Sequence, residues 1–224
     1  YTRRGYIIMI NVLVLCDDYW HPAEVIELGI RPLEGLEFHF DFVKAAKDIL
    51  TPKMIASYPV IVCCKGNSIN ASNRSPWFEE GVTEVMPKDF EEYVRNGGGF
   101  VSVHAGNTSK EGDDYTQFVG NYFIGHPPRC EVEINIKGDH PITRGVQDFT
   151  IRDEHYEICV TAKDTTLLFT TSSEAGGVQV GGYTREIGKG RLCVLTPGHT
   201  LDVWQHEEFK KIFLNSIRWC GRKI

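Results

Sequence analysis

The run Gly97-Gly98-Gly99-Phe100-Val101-Ser102-Val103-His104-Ala105-Gly106 sets an imidazole directly after a short apolar stretch and among small residues. A glycine stop, a strand and a tight turn are how α/β proteins expose one reactive side chain at a sheet edge, as in the nucleophile elbow of hydrolases. Here the tip carries histidine, so the usual serine or cysteine nucleophile is excluded at that place. A histidine there can serve as general acid, general base or metal ligand. Ser102, two residues before the tip, is expected to point inward.

Other polar groups follow apolar stretches in the same way. Asp17, Asp18 and His21 follow the first, Gly66 and Asn67 the third, and His199 the last, within Thr196-Pro197-Gly198-His199-Thr200. A single histidine near a strand end is more often a satisfied structural residue. Two histidines and an aspartate converging on one sheet edge favour a site. Two further clusters are Gly125-His126-Pro127-Pro128 and Asp153-Glu154-His155-Tyr156. An alternating strand would send Glu154 and Tyr156 to one face and Asp153 and His155 to the other; either cluster reads equally well as a solvated edge. His104, His126 and His199, with Glu154 or Asp18, supply the ligand types of a catalytic zinc or similar divalent site, although no helical His-x-x-x-His spacing adds to that signal. The metal-free alternative is acid/base work on a carbon acid or glycoside, shared by Glu154 and a histidine.

Such a site needs a sheet to hold it, and the first half of the chain alternates strand and helix patterns. Strands are predicted at Met9–Cys16, Phe38–Val43, Pro59–Cys64 and Phe100–His104, with helices at Ala23–Leu28, from Thr51-Pro52, and at Pro87–Asn96. This β-α repeat implies a parallel sheet covered on both faces. The second half is richer in strands: Cys130–Ile136, His155–Val160, Leu167–Thr171, Val178–Tyr183 and Arg191–Thr196. These are expected to extend the sheet with antiparallel pairs, Gly188-Lys189-Gly190 forming a hairpin turn between the last two. A helix from about His206 to Trp219 closes the chain, with Phe209, Ile212, Phe213, Ser216 and Ile217 facing inward. The stretch Lys65–Met86 is long for a connection in a compact domain. It reads either as a lid whose Trp77 and Phe78 cover a ligand or as a surface loop pinned by those aromatics.

Composition bounds the rest. The 224 residues suit a single α/β domain over 9–224, with residues 1–8 read as an appended or extended start and Met9 as the native beginning. A net charge of -6 argues against a nucleic-acid partner. No apolar run approaches the roughly 20 residues that span a bilayer, so no membrane partner is expected. Seven cysteines without zinc-ribbon spacing read as reduced, which points to the cytoplasm.

Together these motifs resemble one family, the ThuA-like (trehalose-utilisation) proteins. The resemblance runs from Met9 to nearly the end. It rests on the glycine run to His104-Ala105, Phe123-Ile124-Gly125-His126-Pro127, His140-Pro141-Ile142 with Gly145, Asp153-Glu154-His155-Tyr156, Gly188-Lys189-Gly190-Arg191 through Pro197-Gly198-His199-Thr200, and Ile217-Arg218-Trp219. It implies a flavodoxin-like three-layer α/β/α sandwich related to class I glutamine amidotransferases. Those enzymes carry cysteine at the elbow, so His104 implies no glutaminase activity. It also implies a role in the use of carbohydrates, including oxidised (3-keto) disaccharides.

The expectation is an enzyme acting on a sugar or sugar derivative by hydrolysis, lysis or isomerisation, with the protein free to form a homo-oligomer. His104, Glu154 and His199 are the catalytic candidates, as acid/base groups or ligands. Asp18, His21, Asn67, His126 and Tyr156 are the substrate-binding candidates. On this view His104→Ala abolishes turnover and leaves the melting temperature nearly unchanged. The alternatives are a non-catalytic carbohydrate-binding or regulatory module on the same scaffold, and a structural subunit of a larger complex.

Overall fold

In a computed structural model, which describes residues 9–224, strand β1 (Ile10–Leu15) shows why its sequence is apolar without interruption. Ile10, Val12 and Val14 enter one core and Leu13 and Leu15 the other, because successive side chains point to opposite faces and both faces are covered. Helix α1 (Ala23–Ile30) follows, then β2 (Phe38–Val43), the short α2 (Ala46–Ile49), α3 (Pro52–Ala56), β3 (Val60–Cys63), α4 (Pro87–Arg95) and β4 (Gly99–Val103). Two of these helix starts are set by local chemistry. Thr51 Oγ1 accepts from the Met54 amide beside Pro52, and Asp89 Oδ2 accepts from the Met86 amide beside Pro87.

Beyond the His104 turn come α5 (Asp114–Val119), β5 (Asn121–Gly125), β6 (Cys130–Ile136), β7 (Phe149–Asp153), β8 (Glu157–Val160), β9 (Thr166–Ser173), β10 (Gly177–Ile187), β11 (Gly190–Leu195), α6 (Leu201–Gln205) and α7 (Glu207–Cys220). Nine strands form one sheet in the order β2-β1-β3-β4-β11-β10-β9-β6-β7. The first five are parallel neighbours, and the pairs from β11 onward to β7 are antiparallel. The chain reverses its lateral direction between β1 and β3, the crevice where open sheets take ligands.

The mixed sheet agrees with the sequence reading, and three details differ. The strand expected from His155 begins at Glu157 and leaves the main sheet to pair with β5. The last strand is parallel to β4 on one side while pairing antiparallel with β10 on the other. The strand expected to include His104 ends at Val103, and His104 opens a turn of 3-10 helix through Asn107. The reading of residues 1–8 lies outside the described residues.

The two cores lie on opposite faces of the sheet. One packs α1, α6 and α7 through Ile26, Trp204, Phe209, Phe213 and Ile217; the other packs α4 and α5 through Phe90, Val94 and Phe118. Trp77 and Phe78 belong to the second core, edge to face with each other. They therefore pin the Lys65–Met86 stretch and do not cover a ligand; the Asn67 side-chain oxygen accepts from both their amides. Lys65 is also buried there, its ammonium donating to the Ile69 carbonyl.

Candidate functional site

The turn after β4 is held open by short-range bonds. Ser102 points inward and donates to Asn107 Oδ1, while Asn107 Nδ2 donates to the Leu195 carbonyl of β11. His104 itself has a φ of 45°, and Asp17, just past β1, has 73°. Two non-glycine residues in the left-handed region, at the ends of strands that flank β3, mark strain that the surrounding structure must hold. Gly106 allows the turn to pass close to the Cys63 carbonyl, where a Cβ would collide.

His104 is buried, and its Nδ1 lies 2.8 Å from the Thr196 carbonyl. A carbonyl only accepts, so Nδ1 carries the proton. Burial lowers the imidazole's pKa against the pull of Glu154 and Asp153, so the ring is neutral near pH 7 and Nε2 offers a lone pair. That nitrogen sits 3.5 Å from Glu154 Oε2 and 3.4 Å from His199 Nδ1. His199 Nδ1 lies 3.1 Å from the same carboxylate oxygen.

His21 reaches the same point from the loop after β1. Its Nδ1 contacts both Asp18 oxygens at 2.8 and 3.0 Å, which leaves Nε2 directed at the cluster, 3.3 Å from the Tyr156 hydroxyl. Burial is the largest single influence on Asp18 and works against its ionising, but the hydrogen bond and charge of His21 together with the Gly66 and Trp20 amides outweigh it, so the carboxyl is held low. One ligand atom from each of His21, His104, Glu154 and His199 falls within 4.8 Å of the others. Glu154 shows the balance of forces: burial would raise its pKa, but a proton carried toward its Oε2 by His104 or His199 holds it far below the usual carboxylate range.

A second tier holds these four in place. Asp153, the last residue of β7, accepts from the amides of Gly198 and His199 at 2.8 and 3.1 Å, with burial raising its pKa against those bonds. The Trp204 indole donates to the Gly198 carbonyl at 2.8 Å. Gly198 has a φ of 144°, and a Cβ there would sit 3.0 Å from His104 Cβ. Tyr156 stacks on His104 with ring centroids 3.9 Å apart. Its burial, with Glu154 and Asp18 nearby, raises the phenol pKa well above normal and keeps it protonated.

The sequence-stated candidates sort differently in space. His104, Glu154, His199 and Tyr156 stand together, and His21 joins them as a fourth polar ligand where the sequence reading made it a binder of hydroxyls. Asp18 lines the cleft as well, but its oxygens accept from the amides of Trp20 and Gly66 and face His21 Nδ1, so it positions His21. His126 is half-exposed, with Nε2 3.6 Å from Glu154 Oε2. Asn67 lines the cleft, but its oxygen is engaged with the loop, leaving its amide nitrogen as the group that can face a ligand. The alternation argument for Asp153 and His155 is half kept. His155 turns to Thr171 and Ser173, while Asp153 clamps the backbone beneath His199. His104 stacks on Tyr156 and bonds the Thr196 carbonyl, so His104→Ala is expected to lower the melting temperature as well as turnover.

The cluster opens into a cleft of about 840 Å³, lined among others by Asn67, Ser68, Arg74, Thr108, Ser109 and Lys110. Ser68, Thr108, Ser109, Arg74 and Lys110 were not singled out in the sequence, because hydroxyls and exposed cations in loops carry no spacing signal. All seven cysteines are free. No helix among the described residues is long and apolar enough to cross a membrane.

The ThuA family model, described as trehalose utilisation, matches residues 11–220. The chain belongs to the ThuA family. That places its role in carbohydrate metabolism. Among solved structures it resembles a ThuA-like protein from Bacteroides uniformis, with a TM-score of 0.74 and 17% identity, covering 98% of this chain and 95% of that one. It also resembles a ThuA-like protein from Parabacteroides merdae, with a TM-score of 0.71 and 17% identity over 96% and 91% of the two chains. A β-galactosidase from Bacillus circulans sp. alkalophilus shares the fold over 95% of this chain and 31% of that one, with a TM-score of 0.62 and 13% identity. These likenesses establish the flavodoxin-like α/β fold. No curated protein matches the sequence.

Proposed function

We propose that this ThuA protein is an enzyme acting on a sugar or an oxidised (3-keto) sugar derivative. In this reading His21, His104, His199 and Glu154 hold one divalent ion, zinc first among the candidates. The observation that carries the proposal is the gathering of four ligand atoms within 4.8 Å. Two of the imidazoles are also fixed in the ligating tautomer from behind, by Asp18 and by the Thr196 carbonyl. Metal-binding histidines have this second-tier arrangement. Three imidazoles and a carboxylate suit zinc and neighbouring transition metals better than magnesium or calcium. When bound, such an ion acts as a Lewis acid toward a carbonyl or hydroxyl oxygen of the substrate.

The chain's own residues supply the rest. Tyr156, kept protonated by burial, holds His104 by stacking. His126, half in solvent and 3.6 Å from Glu154, is placed to pass a proton between the cleft and bulk water. Ser68, Thr108, Ser109 and the Asn67 amide offer donors and acceptors suited to sugar hydroxyls. With histidine at the elbow, no thiol is placed to attack glutamine, and no glutaminase activity is expected.

The test is calorimetric titration of chelator-stripped protein with zinc, followed by assay of the loaded protein on 3-keto and ordinary disaccharides. One ion per chain and at least tenfold weaker binding by Glu154→Gln are expected. Protein that takes up no divalent ion would overturn the metal reading. Sugar binding without product in the loaded protein would favour the non-catalytic module.

A further inference from the structure

Behind the polar cleft lies a second chamber of about 240 Å³ with a mostly apolar lining. Pro22, Val25 and Ile26 at the α1 start, with Val103, Leu201 and Trp204, supply the apolar lining, which Arg129 and Thr200 interrupt. Trp20, His21 and His199 line both spaces. The ligand cluster therefore stands where the polar cleft and the apolar chamber adjoin. Trp204 spends its indole N–H on the Gly198 carbonyl, so what it offers the chamber is ring carbon.

The chemistry of the two spaces differs too sharply for one kind of occupant. Besides the imidazoles, the chamber's polar side chains are Arg129 and Thr200, whose hydroxyl already donates to the Arg152 carbonyl; these are too few for the hydroxyls of a second sugar ring, each costing about 1–3 kcal/mol if left without a partner. An apolar cavity of roughly 150 Å³ already takes a benzene ring. The volume here fits one aromatic ring with a small substituent. We infer that the substrate is a glycoside, or its oxidised form, with a small aromatic aglycone. The sugar lies in the polar cleft, the aromatic group in the apolar chamber, and the bond between them beside His21 and His199. This rests on the proposed sugar-directed role of the site and narrows it, away from disaccharides and toward aryl glycosides.

Calorimetric binding of phenyl glucoside and methyl glucoside to the same wild-type protein tests it, with zinc uptake measured alongside. Phenyl glucoside should bind at least tenfold more tightly, and Val25→Trp, which fills the chamber, should shrink that ratio to under twofold. Leu201→Trp approaches from the opposite wall and should do the same if Val25→Trp folds poorly. Equal affinities for the two glucosides in wild-type protein, or no binding of either, overturn the inference. Zinc uptake with equal affinities sinks the aryl-glycoside inference alone and leaves the metal centre standing. A phenyl preference in protein that takes up no zinc supports the chamber and removes the metal centre.

Discussion

Asp18 is a carboxylate whose work is done on protein atoms. Its oxygens accept from the Trp20 and Gly66 amides and face His21 Nδ1, so it fixes the orientation of His21. Asp18→Asn should weaken zinc binding about 10–100-fold, the usual cost of a lost second-tier partner. A change under threefold in a zinc titration would show that His21 needs no such partner. His104→Ala removes a buried ring and the donor to the Thr196 carbonyl. The expected loss is about 2–3 kcal/mol, seen as a melting temperature lower by about 5–10 °C. A thermal scan within 2 °C or so of wild type would show that the ring is not supporting its surroundings. His104, Glu154 and His199 were legible in the sequence because each sits beside glycine, proline or a strand end. The Thr196 carbonyl was not, since no sequence pattern reports a backbone acceptor.

At the scale of elements, the site depends on how closely the β4 turn passes the end of β3. Gly106 is there because a Cβ would strike the Cys63 carbonyl and crowd Ser102 Oγ. Gly106→Ala should cost about 1–3 kcal/mol through forced backbone movement, and zinc affinity should fall with it as His104 shifts. Urea unfolding that matches wild type would mean the turn absorbs the methyl. The parallel strands were readable from their uninterrupted apolar runs. The short α5 and β5 were missed because six- and five-residue elements carry too little periodicity. The start of β8 was misplaced for a different reason. Glu154 to Tyr156 alternate as a strand would, but Glu154 and Tyr156 answer to the site and only the His155 side chain bonds to a strand, through Thr171 and Ser173 of β9.

Across the whole molecule, the sheet is tied at its β2 edge to the C-terminal helix by Glu37 and Arg218, with two contacts of 2.7 Å. The Arg218 hydrogen bonds hold the Glu37 carboxyl below its usual range despite partial burial. A lowered folded value means the contribution is present above the unfolded value of about 4.3 and lost as the pH falls through the folded one. The pair is partly exposed, so Glu37→Gln should cost no more than about 1 kcal/mol at pH 7. The gap between wild type and variant in urea unfolding should narrow steadily as the pH falls below about 4.3; a gap that does not change with pH would assign the effect to packing. The fold class was legible from strand–helix alternation and from family motifs spread over the chain. The arrival of Asp153 and Glu154 beside His199 was not. It requires β7, the far edge strand of the antiparallel half, to end against the loop after β11. The register shifts of β10 at Gly181 and Gly182 are part of that path, and bulges of this kind bend a sheet without any signature in hydropathy.

Diffraction from zinc-loaded crystals, with anomalous data collected at the zinc edge, bears most directly on whether the four converging side chains form a metal centre. The expected result is a single strong peak enclosed by His21, His104, Glu154 and His199. Crystals loaded at stoichiometric zinc that show no peak there, or show the ion bound elsewhere on the surface, would contradict it.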